Sequence, residues 1–94
     1  MKTRYSPRSL RDLENIRAYL SEQSGDRKIA DRFIAALMDE CEFLAVLPER
    51  YPVYRHAPSW RMMPYANYLV FYQLHQDEVR IAHVRHAARR TFRD

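Results

Sequence analysis

Apolar residues in the first half of the chain recur at steps of three and four, which is typical of amphipathic helices. Residues 2–6 are predicted to form a short strand, and Ser6 and Pro7 then provide a helix cap and a first helical turn. The first helix is predicted to run to about Gln23. Its apolar face is formed by Leu10, Leu13, Ile16, Tyr19 and Leu20.

A second helix is predicted directly after the first. Gly25 can adopt the left-handed conformation that ends a helix, and Asp26 can cap the next one, so the two helices are expected to fold back as a hairpin. Helical spacing then continues over five turns until Pro48 stops it. The apolar positions of this helix are Ile29, Ala30, Phe33, Ile34, Leu37, Cys41, Leu44 and Leu47.

The second half of the chain has the composition of β-strands. A loop over residues 48–59 contains three prolines, and strands are predicted at residues 60–65, 68–74 and 79–85, with a turn at Gln76 and Asp77. The predicted order is therefore β-α-α-β-β-β. This is an α+β fold, with an N-terminal helical hairpin packed on one face of a small, mainly antiparallel sheet.

The strand at residues 68–74 is apolar on both of its faces. Side chains alternate along a strand, so Tyr68, Val70 and Tyr72 point to one side and Leu69 and Phe71 to the other. One helical hairpin can cover only one face of the sheet. The second face is therefore expected to need another polypeptide, unless the curled sheet and the C-terminal residues cover it themselves.

Length, charge and cysteine content narrow the class of protein. A chain of 94 residues forms one domain, residues 1–94, around one core. The net charge is +4, and residues 80–93 contain five arginines, two histidines and no acid, which favours an anionic partner. The single cysteine fits a reducing compartment. Because no apolar stretch approaches the ~20 residues of a membrane span, we expect a cytoplasmic protein without membrane contact.

Short motifs in a fixed order resemble one known family over nearly the whole chain. They are Ser6-Pro7, Arg11-Asp12-Leu13 with Ile16, Tyr19 and Leu20, Leu44 to Pro48, Arg61, Tyr68-Val70-Tyr72, and Val84, His86 and Arg89. This pattern resembles the ParE/RelE superfamily of toxins from type II toxin-antitoxin systems. The resemblance implies the RelE/ParE-like fold, no cofactor, and a hetero-oligomer with a cognate antitoxin that neutralises the toxin.

The resemblance leaves two targets open. ParE-like toxins inhibit DNA gyrase by binding, whereas RelE-like toxins cut messenger RNA on the ribosome and carry lysines before the Arg-bearing strand and often a tyrosine near the C-terminus. This chain has only Lys2 and Lys28, and no tyrosine follows Tyr72. Arginine is too basic to act readily as a general base. The ParE-like function is therefore favoured; the alternatives are a ribosome-dependent mRNA endonuclease and a non-toxic relic that only binds the antitoxin.

Candidate site residues follow from this choice. If the chain were a nuclease, His86 would be the titrating catalytic group and Glu49 its acidic partner. Arg61 and Arg85 would bind the phosphate. The residues proposed to bind the target or the antitoxin are Arg61, Phe71, Tyr72, Arg85, His86 and Arg89. A metal site is not expected, because His83 and His86 are three residues apart on a strand and point to opposite faces.

Overall fold

The computed structural model describes residues 1–88 and confirms the predicted order of elements. Two helices lie between the first strand and a three-stranded meander, and together the four strands form a single mixed sheet. The fold class is therefore α+β, as predicted. The elements are β1 (Lys2–Tyr5), α1 (Pro7–Ser24), α2 (Arg27–Phe43), β2 (Arg61–Tyr65), β3 (Tyr68–His75) and β4 (Glu78–His86).

The strands are arranged in the order β1-β4-β3-β2. The strand β1 is parallel to β4, whereas β4, β3 and β2 form antiparallel pairs. The pairing of β1 with β4 stops where Tyr5 lies opposite Ile81, so the C-terminal half of β4 pairs with β3 on one edge and has no strand along its other edge. Between Phe71 and Tyr72 the register shifts, and Ala82 of β4 is the extra residue.

The helical hairpin is fixed by the residues that the sequence assigns to its caps. The Ser6 hydroxyl accepts a hydrogen bond from the backbone N–H of Ser9 at 2.9 Å. At the other end of α1, Gly25 has a φ of 71° and donates its N–H to the Ser21 carbonyl. Asp26 then accepts the N–H of Lys28 at 2.9 Å and begins α2. One orphan N–H at the start of each helix thus gains a local partner.

The helix α2 is shorter than predicted. It ends at Phe43 and not at Leu47, because the following residues change to i→i+3 hydrogen bonds such as Leu44 N–H to Cys41 O at 3.1 Å. Pro48 disfavours helical geometry at the residue before it, which explains why the α-helix does not continue to Leu47. Other predicted core positions also lie at the surface, and the exposed fractions are 49% for Leu10 and 46% for Ile29.

The main core lies between the helical hairpin and one face of the sheet. Its centre is formed by Leu37 and Cys41 of α2 with Val70 of β3, all of which are fully buried. Tyr72 is also fully buried there, and its hydroxyl donates to the Pro48 carbonyl at 2.9 Å. This hydrogen bond ties the start of the proline-rich loop to the centre of the sheet. In the described part of the chain, no helix has the length and apolar character to cross a membrane.

The centre of the opposite face of the sheet is covered by the chain itself, so the expectation that Phe71 needs another polypeptide to cover it was wrong, while Leu69 on the same face is half-buried. Phe71 is only 1% exposed. The rings of Tyr54 and Trp60, from the proline-rich loop, lie 5.3 and 5.9 Å from its ring, and the His83 imidazole stacks at 6.0 Å. The loop folds back because Tyr54 N–H donates to Trp60 O at 2.7 Å. Loop aromatics thus provide the cover that the sequence analysis assigned to another polypeptide.

Candidate functional site

A cleft opens where β4 extends beyond the end of β1. The helix α1 runs beside this unpaired edge, and the space between them has a volume of about 600 Å³. Positions at helical spacing on α1 provide one wall, and the last residues of β4 provide the other. The polar lining consists of Arg8, Asp12, Asn15, His83, Arg85 and His86, and the apolar lining includes Ile16, Tyr68 and Val84.

Asp12 connects α1 to the unpaired edge of β4. Its Oδ2 accepts the backbone N–H of Val84 at 3.0 Å and lies 2.7 Å from Nδ1 of His83. A strand neighbour would normally accept such an edge N–H, but β1 has already ended. The carboxylate therefore replaces the missing strand and holds the imidazole at the same time.

His83 is buried beside this carboxylate, with 6% of its surface exposed. Burial lowers its pKa; Asp12 acts in the opposite direction, and the charges of Arg8 and Arg85 lower it further. The net direction is downward, so the ring is neutral at neutral pH. Because Asp12 can only accept, the hydrogen lies on Nδ1, and Nε2 turns its lone pair toward Nη2 of Arg8, 3.5 Å away.

Two of the residues predicted to form a site, Arg85 and His86, do line this cleft. The His86 ring is exposed, its Nδ1 accepts the N–H of Ala88 at 3.1 Å, and it contacts the Tyr68 ring edge-on at 5.3 Å. With Nδ1 acting as an acceptor, a neutral His86 carries its hydrogen on Nε2. It therefore presents a donor to solvent.

Arg61 and Glu49 lie elsewhere. Arg61 is opposite Tyr72 in the sheet, His86 is opposite Tyr68, and two strand spacings separate β2 from β4, so the two backbones are roughly 15 Å apart. The guanidinium of Arg61 donates to the Tyr51 carbonyl at 2.7 Å and so holds the proline-rich loop. Glu49 is exposed within that loop and does not line the cleft.

One family model matches nearly the whole chain. The sequence matches the family described as "ParE toxin of type II toxin-antitoxin system, parDE" over residues 3–91. The chain belongs to the ParE toxin family. Its fold is similar to that of the solved structure titled "Chromosomal ParDE TA system from P. aeruginosa", with a TM-score of 0.79. That match has 13% sequence identity and covers 92% of this chain and 95% of the other. A comparison with curated proteins gave no significant match.

Membership in the ParE family makes the chain a toxin of the type II toxin-antitoxin class, with an antitoxin as its partner. Only some of the residues proposed to bind that antitoxin or the target are at the surface of this ParE fold. Arg85 and His86 are accessible in the cleft, whereas Phe71 and Tyr72 are buried on opposite faces of the sheet and present no surface to a partner. Arg89 lies outside the described residues.

Sequence reasoning missed the pairing of Asp12 with His83. His83 had been considered only as a metal ligand together with His86, and the two do pair with Phe71 and Tyr68, which lie on opposite faces. Within residues 1–88, no three His, Cys, Asp or Glu side chains are grouped as metal ligands would be. Two features of the sequence pointed to this pair: an acidic residue in the first helix, and a histidine in the last strand, which extends beyond the end of its neighbour β1.

Cys41 is not part of the site. The thiol is fully buried on the face of α2 that packs on the sheet, and burial raises its pKa to about 12, with a further contribution from the charge of Glu42. Such a thiol stays protonated at neutral pH and is a poor nucleophile. Cys41 therefore serves as a small apolar residue of the core.

Proposed function

We propose that this ParE family toxin inhibits DNA gyrase by binding, without cutting a substrate, and that its cognate antitoxin neutralises it. The observation that carries the proposal is the family match, which extends over residues 3–91 and therefore over nearly the whole domain. A match of that length includes both helices, β2, β3 and β4, and all of β1 except Lys2. The gyrase target comes from the resemblance to ParE-like toxins.

The arrangement of the charged residues supports binding over RNA cleavage. A ribonuclease needs a base, an acid and cations around one phosphate. The nuclease candidates His86 and Arg85 are in the cleft, but Arg61 and Glu49 are not. Neither lysine lines the cleft: Lys2 lies on the edge strand β1, and Lys28 lies in the first turn of α2. The set proposed for a RelE-like nuclease is thus dispersed over the described residues.

The antitoxin is proposed to cover apolar side chains that the toxin leaves exposed near the end of α2. Phe43, Val46 and Leu47 lie within five residues of each other and are 48%, 66% and 52% exposed. A flexible segment that folds on binding can bury such side chains. Its acidic residues would pair with the arginines of this basic chain, such as Arg50, which lies over the Phe43 ring.

Two parallel assays test the proposed target. Purified toxin is added to a gyrase supercoiling reaction and to ribosomes translating a defined messenger. We expect supercoiling to stop and the messenger to stay intact, and a stoichiometric amount of antitoxin should restore supercoiling. Cleavage of the messenger with normal supercoiling would instead identify a nuclease. Activity in neither assay, from toxin that still binds its antitoxin, would identify a non-toxic relic.

A further inference from the structure

One face of the sheet is turned away from the helices, and the half of it that β1 and β4 form is polar. Thr3 and Tyr5 of β1 donate hydrogen bonds to carbonyls of α2, and Val79 and Ile81 of β4 are buried in the main core. Side chains alternate along a strand, so the residue before each of these four points to the other face. This β1–β4 face is formed by Lys2, Arg4, Glu78 and Arg80.

Glu78 holds two arginines of the β1–β4 face by the same atom of each side chain. Its Oε2 accepts from Nε of Arg4 and its Oε1 from Nε of Arg80, each at 2.9 Å. The hydrogen bond from Arg80, with a smaller contribution from that of Arg4, lowers the pKa of Glu78, so the carboxylate is charged at neutral pH. Because only Nε is used, the two Nη groups of each guanidinium have no partner within residues 1–88. The carboxylate therefore orients both side chains and leaves their outer NH₂ groups available for a ligand.

The β1–β4 face has an excess of positive charge. Arg4 lies opposite Arg80 in the register of the two strands, and Lys2 is two residues before Arg4, roughly 7 Å away. These three cations stand against one carboxylate on the two strands, that of Glu78. Asp77 is in the adjoining turn, where its backbone carbonyl accepts from the N–H of Lys2 at 3.0 Å. Even with that acid included, the net charge is positive, which favours an anionic partner.

The strand neighbours of the arginine pair offer no apolar anchor. Arg80 lies opposite Gln73 of β3, and Glu78 lies opposite His75. The Gln73 amide donates to the Ser59 hydroxyl at 3.5 Å, which continues the polar row into the proline-rich loop. Protein partners are held mainly by aromatic and aliphatic side chains that become buried at the centre of an interface. A row of polar side chains is therefore a poor site for an acidic peptide.

The large aromatic rings on this side of the sheet are packed against one another. Phe71 is buried, and the rings of Tyr54 and Trp60 lie against it. Binding of single-stranded nucleic acids depends on the stacking of bases on aromatic rings as well as on charge. A duplex instead encloses its bases and presents phosphates, which arginine, lysine and glutamine side chains contact. The polar, basic surface therefore fits a duplex better than a single strand.

We propose that Arg4 and Arg80, held in place by Glu78, bind the phosphate backbone of duplex DNA together with Lys2. A guanidinium whose Nε is occupied can still donate from both Nη groups to phosphate oxygens. Such contacts do not read the bases, so binding is independent of sequence. The choice of DNA over RNA rests on the proposed gyrase target, whereas the phosphate contact itself does not.

The test measures binding of the full-length toxin to a short fluorescein-labelled DNA duplex by fluorescence anisotropy at low salt. We expect Arg4→Gln and Arg80→Gln each to weaken binding by about tenfold and to reduce the log–log salt slope by about 0.9, as loss of one phosphate contact does. Arg80→Lys keeps the charge but lacks the planar fork, so it should still weaken binding by about threefold. Gyrase supercoiling is assayed separately, so a toxin that binds the duplex without inhibiting gyrase contradicts the gyrase target alone.

The controls separate a built site from general basic charge. Arg32→Gln removes the same charge from an exposed position of α2, on the other side of the sheet, and should leave affinity within about twofold because it does not face the bound duplex. Every variant should unfold in urea as wild type does, since exposed ion pairs contribute little to stability. The proposal is overturned if the DNA duplex does not bind, if Arg32→Gln weakens binding as much as Arg80→Gln, or if Arg80→Lys binds as tightly as wild type. Tighter binding of a single strand, an RNA duplex or an oligoglutamate than of the DNA duplex would overturn the assigned partner.

Discussion

One carboxylate, that of Asp12, joins the first helix to the last strand by hydrogen bonds. It accepts from the backbone of Val84 and from the ring of His83. Both donors are on a strand edge that would otherwise face the cleft without an acceptor. A buried donor that loses its partner costs about 1–3 kcal/mol, so this one side chain matters for stability as well as for the shape of the cleft.

Replacement of Asp12 by Ala should therefore destabilise the toxin. Both hydrogen bonds are accepted by one oxygen, Oδ2, and Ala has no oxygen, so the N–H groups of His83 and Val84 would lose their acceptor. We expect the free energy of unfolding, measured by urea denaturation, to fall by about 1–3 kcal/mol. Glu14→Ala on the same helix is the matched control, because Glu14 is exposed and makes an ion pair with Arg17. Equal losses in both variants would show that the Asp12 contacts have no special role.

Acid should weaken the fold through His83. Its folded pKa lies below the ordinary value, so the unfolded chain binds a proton more readily than the folded one. The contribution to stability is complete above the unfolded pKa, near about 6.5, and is lost as the pH falls below it. We expect His83→Gln to flatten the decrease of the unfolding free energy between about pH 7 and pH 5 relative to wild type. The exposed His75→Gln should retain the wild-type slope, and an unchanged slope for His83→Gln would refute the assignment.

The residues of the cleft could be predicted only in part. His86 follows from a motif at the end of the last strand and Arg85 from the arginine-rich composition of that segment, and both line the cleft. Asp12 and His83 are 71 positions apart, and their contact depends on where β1 stops. The point at which β1 stops is set by tertiary packing. Periodicity in the sequence therefore gave no indication of the pair.

Among the elements, the helical hairpin was the most predictable because its ends carry local signals. Ser6, Gly25 and Asp26 each make the capping interaction expected of them. The end of α2 was predicted poorly, since Leu44 and Leu47 continue the apolar spacing while the backbone hydrogen bonds have already changed to the tighter i→i+3 pattern. Spacing reports which side chains are apolar. It does not report which hydrogen bonds the backbone makes.

Gly25→Ala should destabilise the hairpin through backbone conformation alone. The residue has a φ of 71°, and an added Cβ would meet no atom within 4 Å, so no clash contributes. An L-residue in the left-handed region costs about 1–2 kcal/mol, and we expect a loss of that size in the unfolding free energy. Gly25→Asn should lose less, because Asn tolerates this conformation better. Thermal melts of both variants measure the loss of stability, and a lower melting temperature for Gly25→Ala than for Gly25→Asn would show that backbone conformation is its cause.

The exposed apolar residues after α2 should be needed for antitoxin binding but not for folding. Val46→Asp and Leu47→Asp place charges where the partner is proposed to bury apolar surface, and we expect each to weaken antitoxin binding by about tenfold or more in calorimetry. Ile29→Asp is the matched control at the other end of α2, since its side chain is also exposed. Antitoxin affinity equal to wild type in Val46→Asp and Leu47→Asp would place the interface elsewhere.

For the whole molecule, the sequence predicted the α+β class and the order of the strands along the chain, and the family match places that fold among ParE toxins. It did not predict how the second face of the sheet is covered. Tyr54 and Trp60 have no regular spacing that links them to Phe71, and their position depends on how prolines direct a loop. Because residues 48–60 show no regular apolar pattern, the sequence did not predict that they form a second small core of aromatic residues.

The placement of β1 beside β4 has a consequence for how the toxin is made. The strand synthesised first pairs with the strand synthesised last among the four, for example Thr3 with Val79. Contacts between such distant positions form slowly, and they cannot form while the C-terminal strand is still inside the ribosome. The helical hairpin can assemble early from local contacts, but the cleft, which needs the end of β4, is completed only after translation of that strand. The four-stranded sheet is therefore completed only after its last strand has left the ribosome, whereas the two helices leave it much earlier.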